Sequence, residues 1–496
     1  MRLRQAALVA LLVVLAGCGA GFTGTAPDAG TTADTATPSA TPTATPTNGT
    51  GTPTPTATPT PDPESDVLGW ENGYWANETL TLDRSDGLNE SEIDAVVARA
   101  MARVEVVRGL EFDDDVPVNL VSREEFRDGS GSGSPDYSET FRTFDNAKFE
   151  AMFLVGEEED SLVVQQSNRG SSVAGYYSPA NDEIVVIYPG DTPDLPGEGT
   201  LSHELTHAIQ DQQFGLGDIA ATTRDESNAQ SGLIEGEANL VQDRYMANCG
   251  EGWSCLAPPE SDGGGGGGEL HLGIYILNFF PYSDGPGFVR YYENRGGWDR
   301  VGEMYGDLPA SSEQVIEPET YAVDPDPPTE VSLVDSQSNG WERVRPRERA
   351  DYAELGQSAM TAMFAYTLYD DYREGGVIQP DSFLNTEDGQ VNRSDPFEYD
   401  IAYTDGWDGD RMHVYEKDGE TAYVWKTVWD SPAEAEEFAE GYRELLSHWG
   451  AEETDDGVYR ADDGPYEDSF RLVVEGDTVT IVNAPEESDL GDVYAG

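Results

Sequence analysis

Positive charge is scarce in this sequence. Its 496 residues hold 28 lysines and arginines against 96 aspartates and glutamates, a net charge of −68. Like charge repels phosphate backbones and anionic lipid surfaces, so no nucleic acid partner is expected. Cysteine occurs three times and histidine five times, too few cysteines for a disulfide-built scaffold. The apolar run at 6–16 is too short for a transmembrane helix. The chain has no P-loop, no Gly-x-Ser-x-Gly elbow and no Cys-x-x-Cys pair, so the chemistries those motifs carry are not expected.

What is present is a foldable chain in an acidic coat. Hydrophobic residues make up 37% and aromatics 10%, which argues against disorder beyond residue 65. The acidic residues are spread along the chain and do not form a tail. Such charge pushes a compact state apart unless salt screens it, and at molar salt the screening length falls to about 3 Å. In this the chain resembles haloarchaeal proteins.

The N-terminus reads as an export signal. Arg2 and Arg4 precede the apolar stretch 6–16, which ends at Leu15-Ala16-Gly17-Cys18. That ending resembles the lipobox of secreted lipoproteins, and the resemblance implies cleavage before Cys18 and a lipid on its thiol. Residues 1–18 are therefore expected to be a lipoprotein signal peptide. Residues 19–65, rich in Thr and Pro, cannot bury enough apolar surface to fold and read as a disordered stalk. Acceptor patterns for N-glycosylation begin at Asn48, Asn77, Asn89 and Asn392. Cys249 and Cys255 lie close together and can pair as a disulfide in an oxidising exterior.

Helical spacing marks 91–109, ending at Gly109, and a strand is expected at 116–121. Two strands flank a turn within 172–188. A helix follows at 200–214 with Thr200 as N-cap and Gly215 as stop, then another at about 228–247. Six glycines at 263–268 form a loop. Further helices are expected near 271–280, 286–295 and 352–371. The last hundred residues combine strands with a helix at 431–448, opened by Ser431, Pro432 and Glu434. The fold class is α+β, with 66–395 as the main domain and 396–496 as a small C-terminal α+β module.

The chemistry concentrates at His203-Glu204-Leu205-Thr206-His207. Residues four apart share one helix face, so both imidazoles can reach one ion while Glu204 stays close enough to act on a water. This is the HExxH arrangement of zinc metallopeptidases. A catalytic zinc needs a third protein ligand and an open position. The next helix offers Glu235 and Glu237. A polar group one turn further can orient a zinc-bound histidine. From Glu235 that position is Asn239; from Glu237 it is Val241. This favours Glu235 and leaves Glu237 open.

Here the chain resembles the gluzincin metallopeptidases, whose third ligand is a glutamate on the following helix, in some in a Glu-Gly-x-Ala context like Glu235-Gly236-Glu237-Ala238. The resemblance covers about residues 172–245. It implies a zincin-like domain, Zn2+ as cofactor held by His203, His207 and Glu235, Glu204 as general base, and a peptide or protein substrate. It also implies an edge strand beside the metal, here 184–188 or 173–177. The whole chain looks like haloarchaeal secreted surface lipoproteins, which implies tethering to the outer face of the membrane. An oxyanion donor is expected among His271, Tyr176, Tyr177 and Tyr282. His413 and His448 read as structural or surface residues, and the clusters at 113–115 and 455–456 as solvated loops. The alternative is an inactive surface or adhesion protein of the same fold.

Overall fold

A computed structural model describes residues 62–496, apart from 85–86, 128–136, 189–193, 259–269, 348, 388 and 393–394. The signal segment with Cys18, nearly all of the stalk, the acceptor at Asn48 and the glycine run lie outside the described residues. The Asn392 acceptor pattern lies partly outside them.

The chain is α+β, as expected. Helix α1 (Glu90–Arg108) opens with a capping box between Asn89 and Glu92 and closes at Gly109. Strand β1 (Val118–Ser122) follows, then α2 (Glu139–Ala151) and α3 (Ser161–Ser172). Strands β2 (Gly175–Ser178) and β3 (Glu183–Tyr188) complete a three-stranded sheet in the order β1-β3-β2. β3 pairs parallel with β1 and antiparallel with β2. Its four inner residues, Ile184 to Ile187, are all buried. A strand covered on both faces needs this unbroken apolar run. The 184–188 segment is therefore central, and β2 takes the edge.

Helix α4 (Glu198–Phe214) carries the HExxH motif, and α5 (Arg224–Asn248) follows it. Gly215, at φ 73°, ends α4 in a left-handed conformation and sends its N–H back to Asp211 O. The start departs from expectation. α4 begins at Glu198, ahead of Thr200, with no side-chain cap. The reason is the Glu198 carboxylate, which is fully buried and held by Arg99 and Arg103 of α1, each at 2.5 Å. These ion pairs and the Glu198 N–H bond to Leu256 O draw the first turn inward. Helices α6 (Leu272–Ser283) and α7 (Gly285–Met304) pack on α5.

The remaining chain builds one large antiparallel sheet. It comprises β4 (Glu342–Arg343), β5 (Trp407–Lys417), β6 (Glu420–Trp429), β7 (Glu452–Asp455), β8 (Val458–Arg460), β9 (Ser469–Glu475) and β10 (Thr478–Ala484), in the order β7-β8-β9-β10-β6-β5-β4. Helix α8 (Gly356–Tyr366) lies between β4 and β5 in sequence, and α9 (Pro432–His448) packs on the sheet with Ser431 as N-cap and Pro432 in the first turn. The edge strand β4 means that this sheet draws on chain well before residue 396. Its core also includes Phe144 to Val155 and much of α6 to α8. A second core joins α1, the small sheet and α4. Among the described residues no helix is long and apolar enough to cross a membrane.

Candidate metal centre

Three donor atoms meet between α4 and α5. His203 Nε2 lies 3.1 Å from His207 Nε2 and 3.1 Å from Glu235 Oε2, and His207 Nε2 lies 3.2 Å from the same oxygen. All three residues are buried. Tetrahedral ligands at about 2.0–2.1 Å from one zinc are about 3.3 Å apart, so the triangle has the size of one face of such a site. The two Nε2 atoms and the Glu235 oxygen face one another at hydrogen-bond distance, a group that a proton or a metal ion can bridge.

Electrostatics favour positive charge at this point. Burial works against charge on His207, but the neighbouring Glu235 carboxylate outweighs it and raises the imidazole to about 9. Burial pushes Glu235 upward, yet the two imidazoles, His207 foremost, draw it down to about 2. His203 is lowered, by burial above all and by His207.

The outer atoms of both rings decide where their protons sit. His207 Nδ1 meets Gln210 Oε1 at 2.9 Å. Gln210 Nε2 donates to Ile234 O at 3.0 Å and to the Tyr305 hydroxyl at 2.8 Å. A backbone carbonyl only accepts, so the amide nitrogen must face it and the amide oxygen must face the imidazole. His207 therefore holds a proton on Nδ1, donated to Gln210, and turns Nε2 to the triangle. Tyr305 donates onward to Glu237 at 2.7 Å, and Arg108 of α1 closes the chain on Glu237's other oxygen. His203 Nδ1 meets Gln242 Oε1 at 3.1 Å.

Of the two glutamates, Glu235 joins the triangle, and Glu237 is buried against Arg108 and Tyr305. The contacts to the histidine Nδ1 atoms come from Gln210 and Gln242, where the sequence pointed to Asn239, which is half-buried on α5. At about 100° per residue, Gln242 points within about 20° of Glu235, against about 40° for Asn239. Gln210 was legible as the residue three after His207, on the same face. Arg108 and Tyr305 carried no local signal.

Glu204 is fully buried beside the triangle. Burial raises its carboxyl to about 8, Glu235 adds to this, and His207 and the Tyr177 backbone N–H oppose it. That N–H belongs to β2, so the outer edge of the small sheet runs along the site. Among the four expected oxyanion donors, Tyr282 is the one at the triangle. Its ring stacks 6.3 Å from that of His203, and its hydroxyl bonds to Glu235. Tyr177 turns its hydroxyl to Asp211 at 2.9 Å, and Tyr176 packs on Phe126 with Arg169 over its ring. His271 caps α6, with Nδ1 accepting from Ile274 N and Nε2 against the Tyr366 hydroxyl. Along the helix that is about 16 Å from Tyr282.

His448 and His413 are buried partners of Asp370 and Asp335, at 3.0 and 2.9 Å, and neither faces the triangle. Cys249 and Cys255 are joined by a disulfide.

Residues 342–494, the large sheet and its helices, match a family described as a domain of unknown function, DUF8575. The match lies wholly outside α4 and α5. No curated protein and no solved structure matches the chain.

Proposed function

We propose that this chain is a zinc-dependent peptidase with a zincin-like, gluzincin-type site, tethered outside the cell by a lipid on Cys18. The observation that carries the reading is the triangle of His203, His207 and Glu235. Its size, its burial and the Gln210 contact that holds a proton on His207 Nδ1 all suit one divalent cation with an open position. Thiolates are absent from it, and two imidazoles with one carboxylate are a donor set that zinc accepts.

A bound zinc lowers the pKa of a water in its open position toward 7 and polarises a substrate carbonyl. The chain's own groups supply the rest. Glu204, desolvated and raised toward neutrality, takes the proton of the attacking water and passes it to the leaving amine. Tyr282, already donating beside Glu235, turns its hydroxyl to the developing oxyanion. The outer edge of β2 lies where an extended peptide can pair with it and be held across the site.

Metal analysis and casein cleavage in molar KCl test this. The parent should carry zinc and cleave casein. Glu204→Gln should keep the zinc and lose about 100-fold or more in rate. A parent without zinc overturns the reading, and an active Glu204→Gln variant removes the assigned base.

A further inference from the structure

In a chain so short of cations, a place where they outnumber carboxylates stands apart. Lys148 of α2, Arg224 at the start of α5 and Arg349 converge on a single carboxylate, Asp145. Its Oδ1 takes Lys148 Nζ at 2.5 Å and faces Arg349 Nη1 at 3.8 Å. Its Oδ2 accepts from Ser161 at 2.8 Å and Gln165 at 3.0 Å. The charges acting on Arg224 are those of Asp145 and Arg349, so among the described residues three cations share one anion.

The shortage of negative charge is felt. Burial above all, with Arg349 and Arg224 adding, pushes the Lys148 ammonium down to about 7 against the pull of Asp145. Arg349 Nε is buried with no hydrogen-bond partner among the described residues. Phe149 forms an apolar wall, 4.8 Å from Lys148 Nζ. Lys148 and Asp145 are buried, so the cluster meets solvent only through its two arginines. Arg224 and Arg349 are half-buried, and Arg224 reaches the exposed Asn278 of α6 at 3.4 Å.

Asn278 and Tyr282 lie one turn apart on α6, about 6 Å along its axis, and the Tyr282 ring is 6.3 Å from that of His203. Measured along α5, Arg224 stands eleven residues before Glu235, about 16 Å, a span that an extended peptide covers in about five residues at 3.3 Å each.

We propose that Lys148, Arg224 and Arg349 form a carboxylate-binding subsite, which takes an acidic side chain or the free C-terminus of a peptide held along α6. Its link to catalysis rests on the peptidase reading; its preference for a carboxylate does not. Two guanidiniums and an ammonium around one vacancy of charge suit such a group, since hydrogen bonds between ions are the strong ones.

The test is binding, not turnover. Dye-labelled oligoalanine peptides are titrated by fluorescence anisotropy into the full chain carrying Glu204→Gln, in molar KCl. One peptide ends in a free carboxylate, one in an amide, and one is the amide with a single internal glutamate. The amide should bind about tenfold more weakly than at least one of the others, and which one is favoured distinguishes C-terminus from side chain. Adding Arg224→Gln or Arg349→Gln should abolish the preference and leave amide binding unchanged, while Arg349→Lys should keep part of it. Equal binding of all three peptides overturns the proposal, as does a preference that survives both glutamine variants. So does a site that answers only to inorganic anions, seen as chloride or sulfate raising the melting midpoint of the parent but not of Arg224→Gln, with no peptide preference. Casein cleavage by Glu204→Gln would instead strike at the peptidase reading and leave the carboxylate preference standing.

Discussion

Gln210 meets two demands with one amide. Its nitrogen satisfies the Ile234 carbonyl, which leaves only its oxygen for His207. The Nδ1 proton of His207 is thus held in place by way of a backbone group on the neighbouring helix. Tyr305 and Glu237 extend the same polarity to Arg108. Removing the Tyr305 hydroxyl breaks the relay without removing a charge. We predict that Tyr305→Phe weakens zinc about tenfold, within the range for outer partners of metal ligands, measured by competition with a chromogenic chelator. The melting midpoint should move little. Unchanged zinc affinity would show that the relay does not tune the site.

At the scale of elements, the site depends on how closely helices approach. A Cβ on Gly236 would lie 2.3 Å from the Gly285 carbonyl carbon and oxygen, so no side chain fits there. This crossing of α5 with the start of α7 sets the rotation of α5 that points Glu235 at α4. Gly236→Ala should therefore force the helices apart, lowering both the midpoint and the zinc content. Normal zinc binding in that variant would separate the crossing from the site. The clamp of α1 on α4 is the other determinant. Glu198→Gln leaves Arg99 and Arg103 buried without their carboxylate, and removing one partner of a buried pair costs about 3–5 kcal/mol. Urea unfolding in molar KCl measures it, and a loss below about 1 kcal/mol, the scale of an exposed pair, would contradict the assignment.

For the whole molecule, acidity is both coat and core. Three buried aspartates are raised from 3.8, chiefly by burial: Asp225 to about 7, and Asp410 and Asp468 to about 6. The folded state keeps protons that the unfolded chain releases, so stability from this source is complete below 3.8 and is lost as pH rises to about 7. The midpoint at fixed molar KCl should thus be higher at about pH 5 than at about pH 8. Asp225→Asn should flatten that difference, and a parent midpoint that rises across the range would refute the account. The coat acts separately. With a net charge of −68, lowering KCl should lower the midpoint at every pH, as screening of like charge is lost.

The sequence by itself determined the parts of this protein that depend on local geometry. His203, His207 and Glu204 share a helical turn because the helix repeat places residues four apart on one face, and Gly215 stops that helix for a reason internal to the backbone. The buried run at 184–187 was legible as a strand, although not which strand formed the edge. Tertiary structure decided the rest. The sequence favoured Glu235 over Glu237 through Asn239, but it is the rotation and crossing of α5 that turn Glu235 toward the histidines and Glu237 toward Arg108. The same holds for Tyr282 among the four candidate donors, and for Gln242 in place of Asn239. Helix periodicity is a property of neighbours along the chain. The identity of a partner depends on axes, rotations and close approaches between segments distant in sequence, such as Arg108 and Glu237.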